Sequence, residues 1–227
     1  VTVDHGELVG ILGGMGPAAS ADFYARLTEL TPAERDQDHL RVVIWSDPTV
    51  PDRVGAVLHG HPDPYPALLA GTRMLLDAGA TVLAMPCHTA HHFLPRLRAD
   101  TGAPFLDMVA ETVDSIAGRG LGPVGLLSTR ASRELYRTRF AAAGIEVRAA
   151  EDAVQQDIDL AIRRVKSGDR AGALLAGERA VRAMGDAGIL VLACTELPIA
   201  LRGSGNAARL LDPTELLARA VVRNCLR

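Results

Sequence analysis

The chain has 227 residues, 48% of them hydrophobic and 22% charged, which is enough material for one large domain or two small ones. A formal charge of −3 gives no evident field strong enough to gather nucleic acid or an anionic membrane, a locally basic cleft being left open, and three cysteines without regular close spacing do not make a disulfide framework. No basic-plus-apolar leader and no apolar run near the roughly 20 residues of a membrane-spanning helix is evident, so the expectation is a soluble cytoplasmic protein with a small-molecule partner.

Short β-branched or leucine-rich runs alternate with longer amphipathic stretches, the pattern of βα units on parallel sheets. Strands are predicted over 8–13, 41–46, 81–85 and 104–106, with helices over 17–30, 66–78, 89–100 and 108–118. Pro17 suits the first turn of the first helix, where no N–H is required, and Gly79 supplies a stop before the next strand. The segment Gly118-Arg119-Gly120-Leu121-Gly122-Pro123 reads as a linker. Beyond it, strands over 123–127, 146–149, 188–192 and 209–211 alternate with helices over 130–143, 152–167, 169–187 and 214–226, with Pro213 at the start of the last.

The second series repeats the first. Gly10-Ile11-Leu12-Gly13 echoes Gly125-Leu126-Leu127-Ser128, and Phe105-Leu106-Asp107 echoes Leu210-Leu211-Asp212. Cys87 and Cys194 each follow a similar apolar run, with cysteine-to-aspartate intervals of 20 and 18 residues. The expectation is α/β: two similar domains with mainly parallel sheets flanked by helices, residues 1–118 carrying Cys87 and 119–227 carrying Cys194. The terminal helix is free to pack on the first domain. In such sheets ligands bind beyond the carboxyl ends of the strands, where both cysteines, Met15-Gly16-Pro17, Asp47 and Thr129 fall.

Two thiols at equivalent places suit a particular chemistry. Inversion at a tetrahedral carbon by proton exchange needs a base on one face and an acid on the other. A free thiol titrates near pH ~8.5 and is tuned by its surroundings, so two cysteines meet that demand. A lone buried cysteine is ordinary packing, the reading that suffices for Cys225; recurrence in both halves moves Cys87 and Cys194 beyond it. Lys166, the only lysine beside 23 arginines, looks like a helix end entering a turn, which disfavours a pyridoxal phosphate Schiff base.

The segments G-I-L-G-G-M-G-P-A-A-S-A-D-F-Y, D-P-T-V-P-D-R, M-P-C-H-T-A-H-H-F, K-S-G-D and L-A-C-T-E-L-P resemble the aspartate/glutamate racemase family, in its cofactor-independent aspartate racemase branch. The resemblance spans Gly10 to Asp212-Pro213-Thr214-Glu215. It implies two pseudo-two-fold related α/β domains with the active site in the cleft between them, commonly a homodimer, no metal or organic cofactor, and racemisation of an acidic amino acid, aspartate first. Residue by residue, it implies acid/base roles for Cys87 and Cys194. Met15 and Gly16 would line the site, Thr89 and Thr129 would take the carboxylate, Thr195 follows the second cysteine as in the family, and Glu196 continues that motif. Arg53 and Lys166 would close over an acidic substrate. His88 and Ser46 stand where the family usually has asparagine, so the pocket is shaped differently; an imidazole titrating near pH ~6.5 beside Cys87 could change substrate choice or the thiol.

Other readings remain open. Cys87, His88, His91 and His92 offer zinc-type ligands, but adjacent residues converge poorly on one ion. A Cys-His nucleophile pair would leave Cys194 unexplained. Gly14-Met15-Gly16-Pro17-Ala18-Ala19 formally fits a dinucleotide loop, although the acidic residue about 20 positions on is not met. A decarboxylase, a cis–trans isomerase, an epimerase of another substrate, and a non-catalytic small-ligand or nucleotide-binding protein all share some of these features.

Overall fold

A computed structural model describes residues 3, 4, 6–120 and 123–226. Its contacts form two compact units, one of residues up to Met108 together with those from Thr214 onward, the other Val109–Pro213.

In the first unit, β1 (Val9–Gly13) is followed by α1 (Pro17–Leu30), β2 (Val42–Ser46), α2 (Arg53–His59), α3 (Tyr65–Asp77), β3 (Val82–Ala84), a 3-10 turn over Thr89–Phe93 and α4 (Leu94–Thr101). Strand β1 lies between β2 and β3, both parallel to it, with Val9 opposite Val42 and Val82. The period-two alternation of strand side chains decides the cores. Val9, Ile11, Val82 and Ala84 pack on one face with Phe23 and Leu27 of α1, while Leu12 and Leu83 pack on the other with Leu68, Leu75, Leu94 and Leu97. Both faces being covered, β1 is apolar throughout, as parallel sheets require.

Helix α5 (Met108–Ala117) enters the second unit, which continues with β4 (Val124–Ser128), α6 (Arg130–Ala142), β5 (Val147–Ala149), α7 (Asp152–Lys166), α8 (Arg170–Ala183), β6 (Leu190–Ala193), α9 (Glu196–Ala200) and β7 (Leu210–Leu211). The sheet order is β5-β4-β6-β7, all parallel. Leu127, Leu190 and Leu192 share one core with Ile158, Ile162, Ala173, Ala180 and Val181 from α7 and α8. The two sheets have the same plan: a central first strand, the second on one side, the third on the other. Phe105, bridged in parallel to Leu83, stands where β7 stands in the second unit.

Helix α10 (Pro213–Asn224) returns to the first unit, where Leu217, Ala218, Val221 and Val222 join the core of Val9, Ile11 and Phe23. The units therefore divide at Met108–Val109 and Pro213–Thr214, whereas the sequence reading drew one boundary at 118/119. Of the expected linker, Gly118, Arg119, Gly120 and Pro123 fall within the second unit, and Leu121 and Gly122 lie outside the described residues.

Other differences have local causes. The helix expected over 89–100 starts as a 3-10 turn, and α4 begins only at Leu94. Pro95 has no N–H to bond back to residue 91, so an α-helical ladder cannot run through it. The short helices α2 and α9 were not expected; α2 is capped by Asp52, whose carboxylate accepts from Gly55 N–H at 2.7 Å. Among the described residues no helix is long and apolar enough to cross a membrane.

Candidate active site

The candidate side chains form two sets, one at the carboxyl end of each sheet. In the first unit Cys87 lies three residues beyond β3 and is buried, as are its neighbours His88 and Thr89. Cys87 packs in the same cluster as Met15, Val50 and Ala90, which brings the loop after β1 and the loop before α2 to this sulfur. The Cys87 backbone is held by His91. Met108 N–H donates to His91 Nε2 at 3.2 Å, so the proton must sit on Nδ1, which donates to Cys87 O at 2.8 Å. Both ring nitrogens are thus engaged with backbone groups.

Gly16 is the residue before α1, and Gly14 has φ 89°. A Cβ at Gly14 would run into the backbone of Asp47, so only glycine allows the β1 loop to lie against the end of β2. Ser20 fastens this loop: its hydroxyl accepts from Gly14 N–H at 2.8 Å. Ser46, at the last position of β2, is exposed and faces Gly13 in register. Arg53 opens α2 with its guanidinium folded back, Nη1 donating to Val50 O at 3.1 Å and Pro51 O at 3.2 Å. Its buried Nε has no partner.

His88 is 2% exposed, and burial, reinforced by His91, holds its ring well below the ordinary imidazole range. It is neutral near pH 7. The sequence expectation of a ring titrating near pH ~6.5 beside the thiol is corrected by that burial.

In the second unit Cys194 directly follows β6, and Glu196, on which Thr195 and Lys166 also converge, lies beside it. Its Sγ–H donates to Glu196 Oε2 at 3.1 Å, Thr195 Oγ1 donates to the same oxygen at 3.3 Å, and Lys166 Nζ lies 4.0 Å from Glu196 Oε1. Glu196 is buried, whereas the Lys166 side chain is 54% exposed. Burial first, and the Glu196 carboxylate second, push the Cys194 thiol well above its ordinary value; the Glu196 backbone N–H and Lys166 oppose them without prevailing. These surroundings favour the protonated thiol.

The remaining support is Ser132, fully buried in the first turn of α6. Its hydroxyl donates to Ala193 O at 2.9 Å, fastening the peptide that leads into Cys194. Thr129 caps α6, its hydroxyl accepting from Ser132 N–H at 3.1 Å and lying 2.8 Å from Ser132 Oγ. Leu197 N–H completes the turn by donating to Cys194 O at 2.9 Å. Sequence reasoning singled out Thr129 but missed Ser132. A threonine before a helix with a serine three residues on is a capping signal, yet nothing in it reveals the reach to Ala193.

Of the sequence-predicted residues, the structure brings together Cys194, Thr195, Glu196 and Lys166, and separately Met15 and Cys87, with His88 and Thr89 following in the same turn. Cys225 lies in the core around α10, where burial raises its thiol to about 11.

A family described as Asp/Glu/Hydantoin racemase matches residues 12–221. The broad specificity amino-acid racemase RacX of Bacillus subtilis (strain 168) is 26% identical over 227 residues, covering 96% of this chain and 98% of its own. Among solved structures, the Picrophilus torridus aspartate racemase superposes with a TM-score of 0.89 at 31% identity, covering 97% of this chain and 96% of that one. An aspartate racemase homologue from Pyrococcus horikoshii OT3 shares the fold at 20% identity, with a TM-score of 0.76 over 96% of this chain and 99% of that one. With a match reaching from β1 into α10, this chain belongs to the Asp/Glu/Hydantoin racemase family and is an amino-acid racemase.

Proposed function

We propose that the protein interconverts the enantiomers of an acidic amino acid, aspartate first, by proton exchange with Cys87 and Cys194. The observation that carries this reading is the equivalent position of the two buried thiols, each beyond the carboxyl end of the third strand of its sheet. Two-base chemistry requires one sulfur on each face of the substrate Cα. In one direction the Cys87 thiolate takes the Cα proton while Cys194 delivers its own to the opposite face, leaving Cys87 as thiol and Cys194 as thiolate. The reverse step restores the first state. The raised thiol of Cys194 makes it the donor in the resting enzyme, so Cys87 carries the base role in the form that acts first.

Positioned acids and bases of this kind contribute about 10²–10⁴ in rate, and the remainder must come from stabilising charge on the deprotonated Cα and its carboxylate. We assign that task to N–H groups around Gly16, Thr89, Thr195 and the start of α6. The Thr129 hydroxyl is occupied by its cap, so its contribution is through backbone. Lys166, exposed and only 4.0 Å from Glu196, is a cation able to turn to a second substrate carboxylate, with Arg53 as its counterpart in the first unit. Met15, Ser46 and His88 complete the pocket in this reading.

The test is proton NMR in D₂O with L- and D-aspartate, then glutamate and neutral amino acids, on the wild type, Cys87→Ser and Cys194→Ser. Cα deuteration with growth of the opposite enantiomer, lost in both variants, is the expected result. Full racemisation by either variant would overturn the two-thiol assignment, and turnover of neutral substrates alone would overturn the acidic specificity.

A further inference from the structure

Near the start of α7, Gln155 is fully buried, yet both N–H donors and the oxygen of its amide are engaged. Nε2 donates to Ser128 O at 3.0 Å and to Asp159 Oδ1 at 2.8 Å, and Oε1 accepts from Arg133 Nη2 at 2.5 Å. These partners fix which way the amide points: a carbonyl and a carboxylate need donors, and a guanidinium needs an acceptor.

The partners surround one turn. Ser128 closes β4, Thr129 caps α6, and Arg133 lies at the start of that helix. Gln155 therefore ties α7 to both sides of the passage from β4 into α6. The exposed pair Arg130–Asp152, three residues earlier on each helix and at 3.0 Å, repeats the tie at the surface. Gln155 is itself firmly held, because Val154 and Ile158 of the same helix lie in the core of the second unit.

Across the sheet Ser128 stands opposite Ala193, whose carbonyl is fastened by Ser132 just before Cys194. Each of these strand ends thus has a buried side chain bonded to its last carbonyl, Ser132 for β6 and Gln155 for β4. The residue type is narrowly chosen. Glutamate has the same shape but no donor for Ser128 O, asparagine is one carbon shorter, and an apolar side chain satisfies none of the three partners.

We propose that Gln155 is a positioning residue for racemisation, fixing the Ser128–Thr129 peptide so that the N–H groups at the start of α6 meet the substrate carboxylate. This role rests on the charge-holding task given to those N–H groups under the proposed function. The first N–H groups of a helix have no acceptor within it, but they stabilise developing charge well only when their geometry is set beforehand. The carboxylate gains negative charge as Cα loses its proton, so a loosened turn costs more in the transition state than in the bound substrate. The loss should fall on kcat rather than on KM.

The test compares Gln155→Glu, Gln155→Met and Arg133→Met with the wild type. Gln155→Glu keeps an acceptor for Arg133 but sets a carboxylate against Ser128 O and Asp159; should it fail to fold, Gln155→Met decides. Both Gln155 variants should lose about tenfold or more in kcat while KM moves by less than about twofold, and Arg133→Met, which leaves the bond to Ser128 O, should lose less. Hydrogen exchange by mass spectrometry should quicken over 128–133 and stay unchanged over 173–181, with thermal melts showing each variant folded at the assay temperature. Kinetics use whichever amino acid the wild type racemises, so failure of the acidic specificity, or of the two-thiol assignment in the Cys→Ser variants, reads separately. Should the wild type racemise none, the function proposed above falls and exchange alone decides whether Gln155 holds the turn. Unchanged exchange over 128–133, quickened exchange with kcat intact, a loss confined to KM, or exchange raised equally throughout the second unit would each overturn the proposal.

Discussion

Replacing Glu196 by glutamine removes one charge and keeps the shape, so it isolates what the carboxylate does to Cys194. The sulfur and Glu196 Oε2 are 3.1 Å apart and both residues are buried. Like charges at that range repel by about 1 kcal/mol in bulk water and about 5 kcal/mol at an effective dielectric of 20. Lys166 at 4.0 Å from the carboxylate cancels part of this, though half in solvent. Glu196→Gln should therefore lower the titration of Cys194. It should not reach the value of an exposed cysteine, because burial, the larger cause, remains. The assay is ultraviolet thiolate absorbance against pH, checked by alkylation rate, in a Cys87→Ser, Cys225→Ser background. Superimposable titrations with and without Glu196 would refute the view that this carboxylate keeps Cys194 protonated.

Ser132→Ala should destabilise by about 1–3 kcal/mol, because it weakens the α6 cap and strips Ala193 O of its buried partner. It should also lower kcat more than it raises KM; steady-state kinetics with an unchanged kcat would remove Ser132 from the positioning of Cys194. Gly14→Ala should destabilise the fold by at least about 1 kcal/mol, read as a lowered urea midpoint, since φ is 89° and Asp47 backbone fills the space. His88, held below the ordinary imidazole range, implies a sign for acid stability. Below about pH 6.5 the unfolded chain binds a proton that folded His88 refuses, so stability present above that pH falls as pH drops, by up to about 1.4 kcal/mol per unit. Urea titrations of wild type and His88→Gln across that range should show the slope lessened in the variant.

The duplication was legible because the strongest constraint on a parallel strand, unbroken apolarity, is written in the chain: 8–13 and 123–127 stand out, and each repeats the other. The positions of Cys87 and Cys194 at strand ends followed from the same runs. What the sequence could not convey was tertiary. Val221 and Val222 look like any amphipathic helix face, and their choice of the β1 core depends on where the chain has travelled. The protonation of Cys194 depends on Glu196 folding back two residues, a rotamer choice made by α9, which is too short to declare itself by periodicity. His88 suggested a titrating ring because composition says nothing of burial.

The passage of the chain out of the first unit and back through α10 has a bearing on biogenesis. During synthesis β1, α1 and β3 emerge early, but the face they share with Leu217, Ala218, Val221 and Val222 stays open until the whole of Val109–Pro213 has been made. The inserted unit, whose strands and helices are contiguous, can close first, while its predecessor waits with Phe23 and Ile11 uncovered. The nascent first unit is then the species that needs shelter from aggregation, and a fragment ending at 118 carries the same wound permanently.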